Sequence, residues 1–161
     1  MTLVGADLGV RKVALFVPGD APSAHVHEVR KETPRSLQLL ELSSFVHDIA
    51  SLHQVDQAWI EDTLIGNNRK YSLQLTEVRG AVMAALALHV DVRLVNVTTW
   101  KAQVVGDGHA SKDDVRDYID VTHSDYAALC GSNQDLYDAA CISLHGLQIR
   151  ERASGLRLVS R

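Results

Sequence analysis

The amino-acid sequence predicts an α/β fold: a mixed five-stranded sheet that opens as an antiparallel meander, continues in parallel strands and is flanked by helices. Three observations predict it. Three short β-like runs fall within the first thirty residues, joined by connections too short for a crossover, so they pair antiparallel. After them, stretches with helical spacing alternate with short apolar runs, the pattern of crossover-connected parallel strands. The 161 residues contain no internal repeat, low-complexity tract or long Pro, Gly or Ser-rich linker, so one domain over residues 1–161 is expected.

The expected strands are Leu3 to Leu8, Val13 to Val17 and Ala24 to Val29, separated by Gly9-Val10-Arg11-Lys12 and by a turn at Pro18-Gly19-Asp20. Thr33 is placed to cap a helix with Pro34 at its first position, and Leu37, Leu40, Leu42, Phe45, Val46 and Ile49 carry its apolar spacing towards His53. Gln57 to Glu61 reads as a strand, Tyr71 to Leu88 as a second long helix and Val92 to Val97 as another strand. A short helix is expected around Trp100 to Val105, then a turn at Gly106-Asp107-Gly108. Ser111, with Asp114 three residues on, caps a polar helix to about Val121, and Asn133 or Ser132 caps a last helix to about Arg152.

Hydrophobic residues at 46% and charged ones at 22% allow a buried core and exclude a disordered or fibrous chain. The longest apolar stretch, Ala81 to Leu88, is far below the roughly 20 residues of a bilayer span, and Met1-Thr2-Leu3-Val4 lacks the basic flank of a signal peptide. The expectation is a soluble cytoplasmic protein with no membrane partner. Cys130 and Cys141 lack metal or redox spacing and read as buried reduced thiols. A net charge of −4 argues at first against a polyanionic partner, but two bound divalent cations would cancel it. Basic points remain at Arg11-Lys12, at Arg69-Lys70 and in a tail from about residue 150 that carries Arg150, Arg152, Arg157 and Arg161 against Glu151. No G-x-x-x-x-G-K or G-x-S-x-G run occurs, which removes P-loop and nucleophile-elbow chemistry. His25 and His27 would point the same way along a strand, but no third ligand is evident beside them, so no metal site is read there.

Four acids can carry chemistry. Asp7 ends the first apolar strand, Glu61 ends the strand after the first crossover, and a parallel neighbour would bring both to one sheet edge. Asp135 and Asp138, three apart, share one face of the last helix. Singly, each has a plainer reading as a turn cap, a solvated strand end or a first-turn acid favoured by the helix dipole. Together they form a set of oxygen ligands suited to Mg²⁺ or Mn²⁺, and two such ions about 4 Å apart can drive in-line attack on a phosphodiester.

These acids and their surroundings resemble the RuvC-type Holliday junction resolvases of the RNase H-like superfamily. The resemblance rests on Gly5-Ala6-Asp7-Leu8-Gly9-Val10-Arg11; on Trp59-Ile60-Glu61-Asp62 followed by Asn67, Asn68, Arg69, Leu73 and Arg79-Gly80; on the run Trp100 to Lys112; and on Asn133-Gln134-Asp135-Leu136-Tyr137-Asp138-Ala139-Ala140-Cys141-Ile142. It implies an endonuclease of recombination and repair in a bacterial or phage-infected cell: a homodimer whose two sites each nick one strand of a four-way junction. Asp7, Glu61, Asp135 and Asp138 would hold two Mg²⁺ ions, with Mn²⁺ able to substitute. Lys101 and Lys112 match the family's two basic positions, one to place phosphate and one to offset charge near the metals. Arg69, Lys70 and Arg11 are further candidate phosphate contacts, and Ala81, Ala84, Ala85 and Ala87 give the second long helix a close-packing face that suits a dimer contact or plain core packing equally. The chain departs from the family at Leu64, where an aromatic is common; Leu64 cannot stack on a base, and relaxed choice among junctions, forks and flaps is expected. Two other classes remain readable: a non-catalytic DNA-binding dimer, and an actin or sugar-kinase type phosphotransferase, whose need for two such domains conflicts with this length.

Overall fold

A computed structural model of the chain describes residues 2–62, 68–87 and 89–155. Its strands are β1 (Thr2–Leu8), β2 (Lys12–Val17), β3 (Ser23–Glu28), β4 (Val55–Asp62) and β5 (Asp91–Asn96). Its helices are α1 (Arg35–Leu52), α2 (Arg69–Leu86), α3 (Val97–Val104), α4 (Lys112–Thr122), α5 (Ser124–Cys130) and α6 (Gln134–Ala153). The sheet order is β3-β2-β1-β4-β5, antiparallel across β3, β2 and β1 and parallel across β1, β4 and β5. This is the mixed sheet expected from the sequence. None of the described helices is long and apolar enough to cross a membrane.

The sheet is covered on both faces, and strand alternation assigns each residue to one of them. Val4, Ala6 and Leu8 of β1 and Ala58 and Ile60 of β4 join Leu42, Val46 and Ala50 of α1 and Leu75, Val78, Val82 and Leu86 of α2 in one core. Leu3 of β1 and Trp59 of β4 face the other way, into a core with Trp100 of α3, Val115 and Ile119 of α4, and Ala139, Ala140 and Ile142 of α6. Asp7 and Glu61 lie on the second parity and therefore point towards α6. Lys12, two residues before Ala14 on β2, shares that face.

Helix α6 lies against β1 because glycine stands at the crossing. A Cβ on Gly5 would fall 2.2 Å from the Ala139 carbonyl oxygen and 2.5 Å from the Ser143 nitrogen, both backbone atoms. At Gly146, one to two turns further along α6, a Cβ would meet Trp59 Cδ1 at 2.4 Å and Leu3 Cδ1 at 2.7 Å.

The structure corrects several element ends. Pro34, not Thr33, is the N-cap of α1, and no side chain caps that end. Buried Gln38 does related work instead, its amide donating to the Thr33 carbonyl at 2.8 Å. Helix α2 starts at Arg69 because Asn68 accepts from the Tyr71 N–H at 3.1 Å. Helix α3 starts at Val97 rather than Trp100 because Asn96 caps it, taking Val97 from the expected strand and overriding the β-branched Val97, Thr98 and Thr99 at its start. Helix α5 was not expected; Gly131, at φ 57°, ends it. The last helix runs to Ala153, close to the expected Arg152, so Arg150 and Arg152 of the basic segment form the last turn of α6, while Arg157 and Arg161 lie outside the described residues. Leu64, Asn67 and Leu88 also lie outside them. Ser111 and Asp114 form the full capping box of α4, and Asn133 caps α6. Both cysteines are buried free thiols.

Replacing Gly5 by Ala should cost about 3 kcal/mol, at the upper end for overpacking because the atoms met are backbone. Urea unfolding measures it, and a loss under about 1 kcal/mol would show that α6 can move off β1 at little cost.

Candidate active site

The parallel β1–β4 register ends on Gly5 opposite Trp59 and Ala6 opposite Ile60, and the next residue on each strand is Asp7 and Glu61. Across the sheet face, the crossing at Gly5 sets Ala139 of α6 above β1, and Asp138 and Asp135 precede it in the first turns of that helix. Two strand ends and one helix thus deliver four carboxylates to one end of the sheet.

Their charges act on one another. Burial pushes the Asp7 carboxyl well above its usual range, and the charges of Glu61, Asp138 and Asp135 push it further; Lys12 opposes them weakly. Burial also raises Glu61, opposed by the hydrogen bond from Trp100 and aided by Asp138. Asp138 is raised by burial, opposed by Gln134, Lys101 and Lys112. Carboxylates held this way resist ionisation because the interior solvates them poorly and like charges lie close.

Neutral and cationic groups orient the cluster. Trp100 Nε1 donates to Glu61 Oε2 at 2.9 Å from a ring that is itself in the core. Gln134 Nε2 donates to Asp138 Oδ1 at 3.2 Å, and Gln134 Oε1 accepts from Arg116 at 3.3 Å. Lys12 Nζ pairs with Asp135 Oδ2, and that contact raises the Lys12 proton affinity. Lys101 Nζ donates to the Ala110 carbonyl at 2.6 Å and lies 5.6 Å from the centre of the Trp100 ring. Lys112, exposed at the first turn of α4, acts on Asp138.

The expected residues do not all meet here. Asp7, Glu61, Asp135, Asp138, Lys101 and Lys112 are brought together. Arg11 is turned away: it lies 3.7 Å from Glu28 and donates to the Val29 carbonyl at 3.4 Å, and its neighbour Lys12 enters the cluster instead. The signal for Lys12 was its parity with Ala14 and Phe16 on β2. Trp100 and Gln134 were read only as parts of longer motifs; the first is far from Glu61 in sequence, and the second stands one turn before Asp138. Arg69 and Lys70 are exposed in the first turn of α2, which follows the strand that ends past Glu61.

Comparison with known proteins then settles the family. The family model for the crossover junction endodeoxyribonuclease RuvC matches residues 21–124. The RuvC of Hyphomonas neptunium is 32% identical over 121 residues, 71% of this chain and 72% of that protein. The chain belongs to the RuvC family. The RuvC of Rickettsia bellii is 31% identical over 107 residues, 66% of this chain and 67% of that protein. The structure of Thermus thermophilus RuvC solved with Holliday junction substrate superposes with a TM-score of 0.78 at 18% identity, covering 96% of this chain and 97% of that one. The protein is accordingly an endonuclease of a metal-dependent family. The family match contains Glu61, Lys101 and Lys112 but neither Asp7 nor the α6 pair, so those three acids are joined to the site by geometry.

The donor set fits the family's metal. Among the described residues no three acidic side chains already close around one point at ligation spacing, and Lys12 engages Asp135. Yet the side chains are hard oxygen donors whose ionisation burial and mutual repulsion oppose, which a divalent cation would reverse.

Two consequences are measurable without cleavage. In metal-free protein the raised Asp7 pKa means that the folded chain binds its proton more tightly than the unfolded chain does. Stability from this group is full below the ordinary aspartate range and is lost as pH rises through the folded value. Asp7→Asn should therefore raise the melting temperature of metal-free protein near neutral pH, on the order of a few degrees, and flatten its fall with rising pH; an unchanged or lower melting temperature would contradict the cluster. Lys12→Met frees Asp135 and removes a competing cation, so calorimetric Mn²⁺ affinity should rise roughly three- to tenfold, the effect of about 1 kcal/mol for a partly exposed pair.

Proposed function

We propose that the chain resolves four-way DNA junctions as a homodimer, each protomer nicking one strand by hydrolysis at the cluster of Asp7, Glu61, Asp135 and Asp138. The observation that carries the reading is the delivery of these carboxylates to one sheet end, in a chain of the RuvC family. Mg²⁺, with Mn²⁺ able to replace it and two ions per site, would be held by the four acids. When bound, the metal activates water and neutralises the scissile phosphate.

The chain's own groups do the positioning. Trp100 fixes one Glu61 oxygen and leaves the other to a ligand; Gln134 does the same for Asp138. Lys101, braced on the Ala110 carbonyl, and Lys112, at the open first turn of α4, supply positive charge beside Asp138 where the phosphate arrives. Arg69 and Lys70 would contact backbone phosphate further from the cut. Of the alanines proposed for the dimer contact, Ala84 on α2 and Ala87 at its C-cap are exposed and Ala81 and Ala85 half-buried, while Val78, Val82 and Leu86 face the core, which leaves small residues open to a second copy. A cytoplasmic site of action and selection among branched DNAs belong to the same proposal.

A nicking assay on matched four-way, fork, flap and linear duplexes, with Mg²⁺, Mn²⁺ or chelator, tests the function. Metal-dependent symmetric cuts in the four-way junction are expected, with Asp7→Asn and Asp138→Asn reducing cutting to background while junction binding persists; full activity in either variant would overturn the site. Lys112→Ala should slow cleavage by roughly 10- to 100-fold and weaken binding much less. Equal losses in the two measurements would reduce Lys112 to a phosphate contact.

A further inference from the structure

The histidines gain in the folded chain a partner that the sequence conceals. Ser23 and His25 lie on β3, and His53 is the residue that ends α1. His25 Nε2 stands 3.0 Å from His53 Nε2 and 3.1 Å from Ser23 Oγ, and Ser23 Oγ stands 3.3 Å from His53 Nε2. Three donor atoms thus form a triangle with nearly equal sides.

Hydrogen bonds cannot satisfy all three sides. An imidazole nitrogen offers one in-plane site, either a proton or a lone pair, and here each Nε2 has two neighbours. If the rings bond each other, the serine is left without a ring partner; if both bond the serine, two ring nitrogens remain in contact with no proton between them. A cation above the triangle needs only one lone pair from each atom. A tetrahedral zinc ion with bonds of about 2.0–2.1 Å has donor–donor edges of about 3.3 Å, within a few tenths of an ångström of those present.

We propose that Ser23, His25 and His53 form a second cation site, for Zn²⁺ or a similar borderline transition metal, with solvent completing the coordination. Imidazole donors select such ions over the Mg²⁺ that suits carboxylates. The site is remote from the carboxylates. Ser23 pairs with Val17, at the opposite end of β2 from Lys12, and His53 precedes the start of β4, whose far end carries Glu61. Its bound ion would tie the edge strand β3 to the end of α1. His27, two residues along the same strand, is not part of it: its Nε2 lies 2.7 Å from Glu41 and its ring stacks on Phe45 at 5.0 Å.

The test is calorimetric titration of Zn²⁺ into the full chain in excess Mg²⁺, which saturates the carboxylates. One Zn²⁺ per chain with micromolar affinity is expected, weakened at least tenfold in His25→Gln and in His53→Gln and unchanged in His27→Gln. In the unsubstituted chain, Zn²⁺ should shift the imidazole NMR signals of His25 and His53 ahead of the remaining histidines, a readout that needs no variant to fold. Absence of Zn²⁺ binding, an affinity in His25→Gln or His53→Gln equal to that of the unsubstituted chain, or shifts confined to other histidines would overturn the site. No arm depends on cleavage, so the outcome is separate from that of the carboxylate reading.

Discussion

The contact on which the rest of the molecule depends is the crossing of α6 over β1 at Gly5. With no side chain there, the helix backbone settles directly on the strand, and the Ala139 carbonyl and Ser143 amide occupy the space that a Cβ would need. That approach buries most of α6 between Leu136 and Gly146, with the small residues Ala139, Ala140, Ser143 and Gly146 among those buried. It also sets the height of the helix's first turn above the sheet. Asp135 and Asp138 can meet Asp7 and Glu61 because the helix bearing them lies close; a helix held off by even a methyl group would lift its carboxylates away.

Concentrating carboxylates at one end of the sheet is unfavourable, and much of the surrounding polar chemistry opposes that cost. Trp100 and Gln134 donate hydrogen bonds, while Lys12, Lys101 and Lys112 supply charge. The compensation is incomplete: Asp7, Glu61 and Asp138 all hold their protons more tightly than free carboxylic acids. The residual strain sits where a metal-dependent endonuclease needs affinity for cations, and cations bound there would offset part of the net charge of −4 that a DNA substrate meets.

Elsewhere the polar groups serve the fold. Arg35 ties the start of α1 to the Val10 carbonyl and to Glu77 of α2, each at 2.9 Å, so the β1–β2 turn, α1 and α2 are braced at one point. Ser23, His25 and His53 join the opposite end of α1 to the sheet's edge. The helix is thus fastened at both ends to elements that frame the carboxylate face without contributing to it.

Local chemistry by itself determined the strands, the α4 capping box, a cap of α6 at Ser132 or Asn133 and the acids at the strand ends, because two-residue and 3.6-residue periods and cap residues act over a few positions. The α6 acids were legible for the same reason: their spacing puts them on one helical face. Other features were decided only by tertiary structure. Lys12 rather than Arg11 meets the acids because strand parity, fixed by which face packs on α6, turns one inward and the other towards Glu28. Trp100 reaches Glu61, and His53 reaches His25, across chain separations that no local period encodes. Asn96 capped α3 against the strand preference of its β-branched start, and α5, short and ended by Gly131 rather than marked by a strong apolar period, had no local signal to compete with the sheet and helix patterns around it. Short-range signals specify elements; which side chains become neighbours depends on how closely those elements pack, and here a glycine sets that distance.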